Sequence, residues 1–87
     1  MNIKLIRISA IWCPSCIVMD EIYKSVSKEL NISLISYDYD FDEDIVKKYE
    51  PGHILPVLIL ERNDCEIKRI VGEKKKEEII SIIKEVL

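Results

Sequence analysis

The sequence predicts an α/β fold: a mixed four-stranded sheet with helices on both faces, in the order β-α-β-α-β-β-α. Three observations carry this. Apolar residues alternate over residues 3–8 and 32–38, the period of a strand, but recur at three- and four-residue spacing over 14–30 and 73–87, the period of a helix. The changes of period fall at turn-forming residues such as Pro14, Asn31, Pro51-Gly52 and Gly72. Two short apolar runs, 57–61 and 66–71, flank the polar stretch Arg62-Asn63-Asp64-Cys65 and read as a hairpin.

Taken in order, Ile3, Leu5 and Arg7 alternate with Lys4, Ile6 and Ile8, so both faces of the first strand are largely apolar and it belongs in the middle of its sheet. In the following helix Met19, Ile22, Tyr23, Val26 and Leu30 share one face. Pro14 suits the first turn, where its missing N–H costs nothing, and Asn31 is a stop. The second strand, 32–38, sets Ile32, Leu34 and Ser36 against Ile35 and Tyr37. Asp40-x-x-Glu43 has the form of a capping box that opens a short helix over 42–49. Strand–helix–strand implies a right-handed crossover between parallel strands, whereas the closing hairpin must be antiparallel. The last helix, 73–87, carries Ile79, Ile80, Ile82, Ile83, Val86 and Leu87 as a wide face for the sheet.

The chain has 87 residues, 48% hydrophobic and 33% charged, with only two glycines and three prolines, a composition that excludes disorder and low-complexity chains. That length is one domain, residues 1–87. A net charge of −3 with no concentrated basic face excludes nucleic acid as a partner, since Lys74–Lys76 are followed at once by Glu77 and Glu78. No apolar run approaches the roughly 20 residues that span a bilayer, and the N-terminus has no signal-like apolar stretch, so a cytoplasmic protein without membrane contact is expected. Three cysteines are too few for a secreted disulfide framework.

The residues that point to chemistry are Trp12-Cys13-Pro14-Ser15-Cys16. Cys13 ends the first strand's exit and opens the first helix, whose terminal N–H groups and partial positive charge favour a thiolate there. Cys16 lies one turn further along, buried by the helix and close enough to attack a mixed disulfide formed at Cys13. An exposed, acidic nucleophile beside a resolving thiol is what thiol–disulfide exchange requires. Trp12 and Pro14 supply an apolar rim. Two other readings exist. A structural disulfide at this spacing closes a tiny loop and adds little stability. A metal site needs two more ligands, for which only His53 and Cys65 are at hand, and these do not form a second close pair.

The Trp12–Cys16 motif resembles the active site of the thioredoxin-like superfamily, and the resemblance runs the length of the chain. Leu55-Pro56 before the third strand resembles that family's cis-proline loop, and Gly72 resembles its late glycine. The resemblance implies a thioredoxin fold and a dithiol–disulfide oxidoreductase that needs no cofactor. Cys13 is then the nucleophile, Cys16 the resolving thiol, and Leu55 and Pro56 the edge that positions a substrate backbone. It also implies disulfide-containing protein substrates, a thioredoxin-reductase-like flavoprotein as electron donor, a role in electron transport and cell redox homeostasis, and a monomeric protein. A metal-binding or redox-sensing interaction module on the same fold is the alternative.

The chain departs from the family in places. Many thioredoxins carry a buried acid six residues before the nucleophile, where this chain has Arg7. Ile54-Leu55-Pro56 and Val71-Gly72-Glu73 replace the Thr-Val-Pro and Gly-Gly-Asp elements common in glutaredoxins, so glutathione binding has no support. Asp38-x-Asp40-x-Asp42 begins like a calcium loop but has Glu43 where glycine is needed and Tyr49 where a bidentate glutamate belongs. These acids read as a strand end and helix cap, Tyr37, Tyr39 and Phe41 as packing residues, His53 as a loop residue and Cys65 as a spare exposed thiol.

Overall fold

The computed structural model describes residues 2–87. Its elements are β1 (Ile3–Ser9), α1 (Pro14–Leu30), β2 (Ser33–Asp38), α2 (Glu43–Tyr49), β3 (Val57–Arg62), β4 (Cys65–Val71) and α3 (Lys76–Val86). The strands form one sheet in the order β2-β1-β3-β4, with β1 parallel to β2 and antiparallel to β3, and β3 antiparallel to β4. This is the architecture the sequence predicts.

The central strands explain their own composition. Leu5, Leu58 and Leu60 face Met19, Tyr23 and Val26 of α1 and Ile79 and Ile83 of α3. Ile6, Ile8, Val57 and Ile59 face the other way, toward Val46 of α2 and the rings of Tyr37, Tyr39 and Tyr49. A strand covered on both faces has no place for a solvated side chain, hence the unbroken run from Val57 to Leu60, all at most 2% exposed. The β1–β3 register sets Ile8 opposite Val57. The chain leaving β1 and the chain entering β3 therefore meet at one end of the sheet.

α1 has both of its sequence-read bounds. Pro14 occupies the first turn, and Asn31 caps the other end in the left-handed region (φ 55°), its N–H donating to the Lys28 carbonyl. α2 begins within a residue of the expected start but without the expected cap, and α3 begins later than expected. The Asp40–Glu43 capping box does not form: α2 starts at Glu43 after Asp42, which makes no side-chain cap. The Asp38 carboxylate instead accepts from the N–H groups of Asp40 and Phe41, and Asp42 Oδ2 accepts from the Asp38 N–H, so the loop is closed by a turn of acids upon themselves. Phe41, expected to pack, is 78% exposed as a result. α3 begins at Lys76 rather than Glu73. Gly72 adopts φ 81° and Lys75 is extended, while Glu73 is drawn to α1, where its Oε2 accepts from Ser15 Oγ at 2.6 Å.

Candidate active site

β1 ends at Ser9, and Ala10, Ile11 and Trp12 carry the chain to Cys13, whose N–H donates to the Ala10 carbonyl at 3.2 Å. Cys13 is the N-cap of α1. Its backbone is extended (φ −100°, ψ 109°), and its Sγ accepts from the Cys16 N–H at 3.2 Å, as a serine or aspartate oxygen does at other helix starts. One of the orphan donors of the helix is thereby aimed at sulfur, and the terminal dipole favours negative charge on it. Both cysteines carry free thiols.

The sequence reading expected an exposed Cys13, but the structure buries it: Cys13 is 6% accessible and Cys16 4%. Ala10, Tyr39 and Leu55 close over the two sulfurs. Leu55 comes from the loop entering β3, where the Leu55–Pro56 peptide bond is cis, and the Cys13 thiol donates to the Leu55 carbonyl at 3.9 Å. The same loop is held from below by the Gly72 N–H, which donates to the Pro56 carbonyl at 2.8 Å.

Burial and the neighbouring Cys13 sulfur push the Cys16 thiol up from 9.0 to about 12, while the Ala10 backbone and, more weakly, Arg7 pull in the opposite direction. Cys16 therefore remains a thiol at neutral pH. The sulfur of Cys13 instead receives the helix-terminal N–H of Cys16. The arrangement gives the two cysteines different chemistry despite equal burial.

The rim is apolar. Trp12 is 61% exposed and its orientation is fixed twice: Nε1–H donates to Asp40 Oδ2 at 2.6 Å, and the ring meets Tyr39 edge-on with centroids 6.3 Å apart. Pro14 is exposed beside it, and Ile11, Ile17 and Ile54 extend the same open surface. The orienting roles of Asp40 and Tyr39 were missed in the sequence, where both were read as local structure; their partner Trp12 is 28 positions from Asp40, beyond any local pattern. Arg7 points under α1 and forms an ion pair with Asp20, a residue whose position four after Cys16 was the available signal.

One singled-out residue, Cys65, stays apart from this site. Cys65 pairs with Arg62 at the far end of β3, about 17 Å of strand from Val57 at roughly 3.3 Å per residue. His53 is exposed in the loop before Ile54. Among the described residues, no group of three or more His, Cys, Asp or Glu side chains is placed to hold a metal ion. No described helix is long and apolar enough to cross a membrane.

The chain is similar to known proteins. A thioredoxin of Chlamydia trachomatis is 29% identical over 83 residues, covering 94% of this chain and 80% of that protein. Thioredoxin H2 of Arabidopsis thaliana is 27% identical over 77 residues, covering 87% of this chain and 57% of that longer protein. Among solved structures, thioredoxin-2 of a malaria parasite superposes with a TM-score of 0.87 at 23% identity, over 97% of this chain and 82% of that one, a likeness of fold. The thioredoxin family model matches residues 1–85. A dithiol at the start of α1, beneath a loop that enters β3, thus stands in a chain that belongs to the thioredoxin family, and it is a thioredoxin-like redox protein.

Proposed function

We propose that the protein is a monomeric, cytoplasmic dithiol–disulfide oxidoreductase, residues 1–87 acting as one domain, which reduces disulfides in protein substrates. The observation that carries this reading is the Cys16 N–H donating to Cys13 Sγ at the N-cap of α1. A sulfur that receives a helix-terminal donor is stabilised as a thiolate, and the thiolate is the nucleophile in exchange. Cys13 attacks one sulfur of a substrate disulfide, forms a mixed disulfide and expels the other sulfur as a thiolate. Cys16 then loses its proton and attacks the Cys13 sulfur, which expels the second substrate thiolate and leaves a Cys13–Cys16 disulfide. Two electrons have passed from the dithiol to the substrate. A thioredoxin-reductase-like flavoprotein returns them.

Substrate binding follows from the rim. An extended segment lies along Leu55 and Pro56 with its disulfide over Cys13, and Trp12 and Pro14 supply the apolar surface against which it docks. Leu55, which covers the sulfurs, must yield as the segment arrives. Reduction of insulin disulfides by dithiothreitol tests the reading: the wild-type protein accelerates it and Cys13→Ser leaves it at the uncatalysed rate. Stoichiometric zinc or iron in the purified protein, lost in Cys65→Ser or His53→Ala, would replace this reading with metal binding.

A further inference from the structure

Beside Cys16 a cleft of about 400 Å³ opens between α1 and the end of the sheet. Arg7 of β1, Cys16 and Asp20 of α1, and Asp38 and Asp42 beside β2 line it. The Arg7 side chain is only 15% exposed, and its terminal nitrogen is paired with Asp20, which also holds Lys24 at 3.0 Å. Its Nε is buried with no hydrogen-bond partner. A guanidinium cannot discard its proton, so Arg7 keeps a largely buried positive charge in the cleft that Cys16 also lines. Asp20 and Cys16 are four residues apart on one helix, hence neighbours on one face.

We propose that Arg7 is a positioning residue for the resolving step, its guanidinium stabilising negative charge as it develops on Cys16 Sγ, with Asp20 fixing and partly neutralising that guanidinium. The inference rests on the exchange reading above. In that step the bond between Cys13 and the substrate sulfur breaks, the Cys13–Cys16 bond forms, and the departing thiolate takes the electron pair. The Cys16 proton leaves to water in the cleft, which is far larger than the roughly 30 Å³ a water occupies. The Cys16 thiol is otherwise hard to ionise, and Arg7 is the cation that favours its charged form. The other groups facing the pair oppose it or stand neutral. Cys13 and the hydroxyl of Tyr23 lie on the α1 side, Tyr37 and Asp38 on β2, and Asp42 before α2; Lys24 is spent on Asp20.

The test isolates resolution. In a Cys65→Ser background, Cys13 is loaded with nitrothiobenzoate, whose release by Cys16 is followed by colour as pH is varied. Arg7→Met should slow release about threefold at neutral pH and move the profile about half a unit to higher pH, one unit being the equivalent of tenfold. Arg7→Lys should keep most of the rate. Asp20→Asn should move the profile to lower pH, because the guanidinium loses its counter-charge. A wild-type profile in Arg7→Met overturns the proposal. If Arg7→Met does not fold, judged by its thermal transition, Asp20→Asn decides: an unchanged profile, or one moved to higher pH as for loss of a proton acceptor, overturns it. Absence of release from the wild-type protein itself refutes the exchange reading instead, so the two failures are distinguishable.

Discussion

At the scale of single residues, the two cysteines differ by what their sulfurs touch, not by how deeply they lie. Cys13 Sγ receives a helix N–H, whereas Cys16 Sγ is desolvated and faces another sulfur. The second fact has a consequence for stability. The Cys16 pKa rises from 9.0 to about 12 on folding, so between these values the folded state holds a proton that the unfolded chain has lost. Stability then falls as pH rises. Tyr23, also pushed upward by burial, adds to the fall from about its ordinary 10.0. Urea midpoints measured from neutral pH into this range should decline for the wild-type protein and decline less for Cys16→Ser. An identical slope in the variant would mean that Cys16 is not desolvated. The motif and its place at the start of α1 could be read from Trp12–Cys16, because a helix start following a strand is a local pattern. The burial of Cys13 could not, because Leu55 and Tyr39 reach it from loops 42 and 26 residues away.

At the scale of elements, the site depends on three chain segments meeting at one end of the sheet. Gly72 ties the last of them down. It holds φ 81° while its N–H serves the Pro56 carbonyl, and a Cβ there would lie in open contact with Ile54 at 3.8 Å. The cost of a side chain is therefore conformational rather than steric crowding by neighbours. Gly72→Ala should lose about 1–2 kcal/mol of unfolding free energy, the usual penalty for an L-residue in the left-handed region. Chemical denaturation measures it, and a change below a few tenths would show that the loop relaxes. α1 was legible to the residue because Pro14 and Asn31 are signals carried by the helix itself. The cap of α2 and the start of α3 were not. Asp40 is engaged by Trp12 and Glu73 by Ser15, and partners 28 and 58 positions away leave no periodic trace.

At the scale of the whole molecule, one sheet divides the apolar residues into two layers, and the larger lies beneath α1 and α3. Ile83 is fully buried there, and α3 is further tied to α1 by Lys76 and Glu29 at 2.9 Å. That exposed ion pair adds little. Ile83→Ala should cost about 2–5 kcal/mol through lost burial and the cavity left behind, a large share of what holds a chain of this size folded. A loss under 1 kcal/mol by denaturant titration would show that α3 repacks. The central place of β1 and the burial of β3 followed from the sequence, because both are largely apolar on their two faces. What the sequence left open was how the ends of the elements converge, and the Arg7–Asp20 pair shows why: alternation assigns Arg7 to a face but says nothing of which helix residue meets it.

The central claim is that Cys13 attacks and Cys16 resolves. Its most direct measurement is the mass of the protein after mixing with a disulfide-bonded substrate, in a Cys65→Ser background. Cys16→Ser should accumulate one substrate chain linked through Cys13, and Cys13→Ser should accumulate none on the same timescale. An adduct forming on Cys16 in Cys13→Ser as readily as on Cys13 in Cys16→Ser would contradict the account.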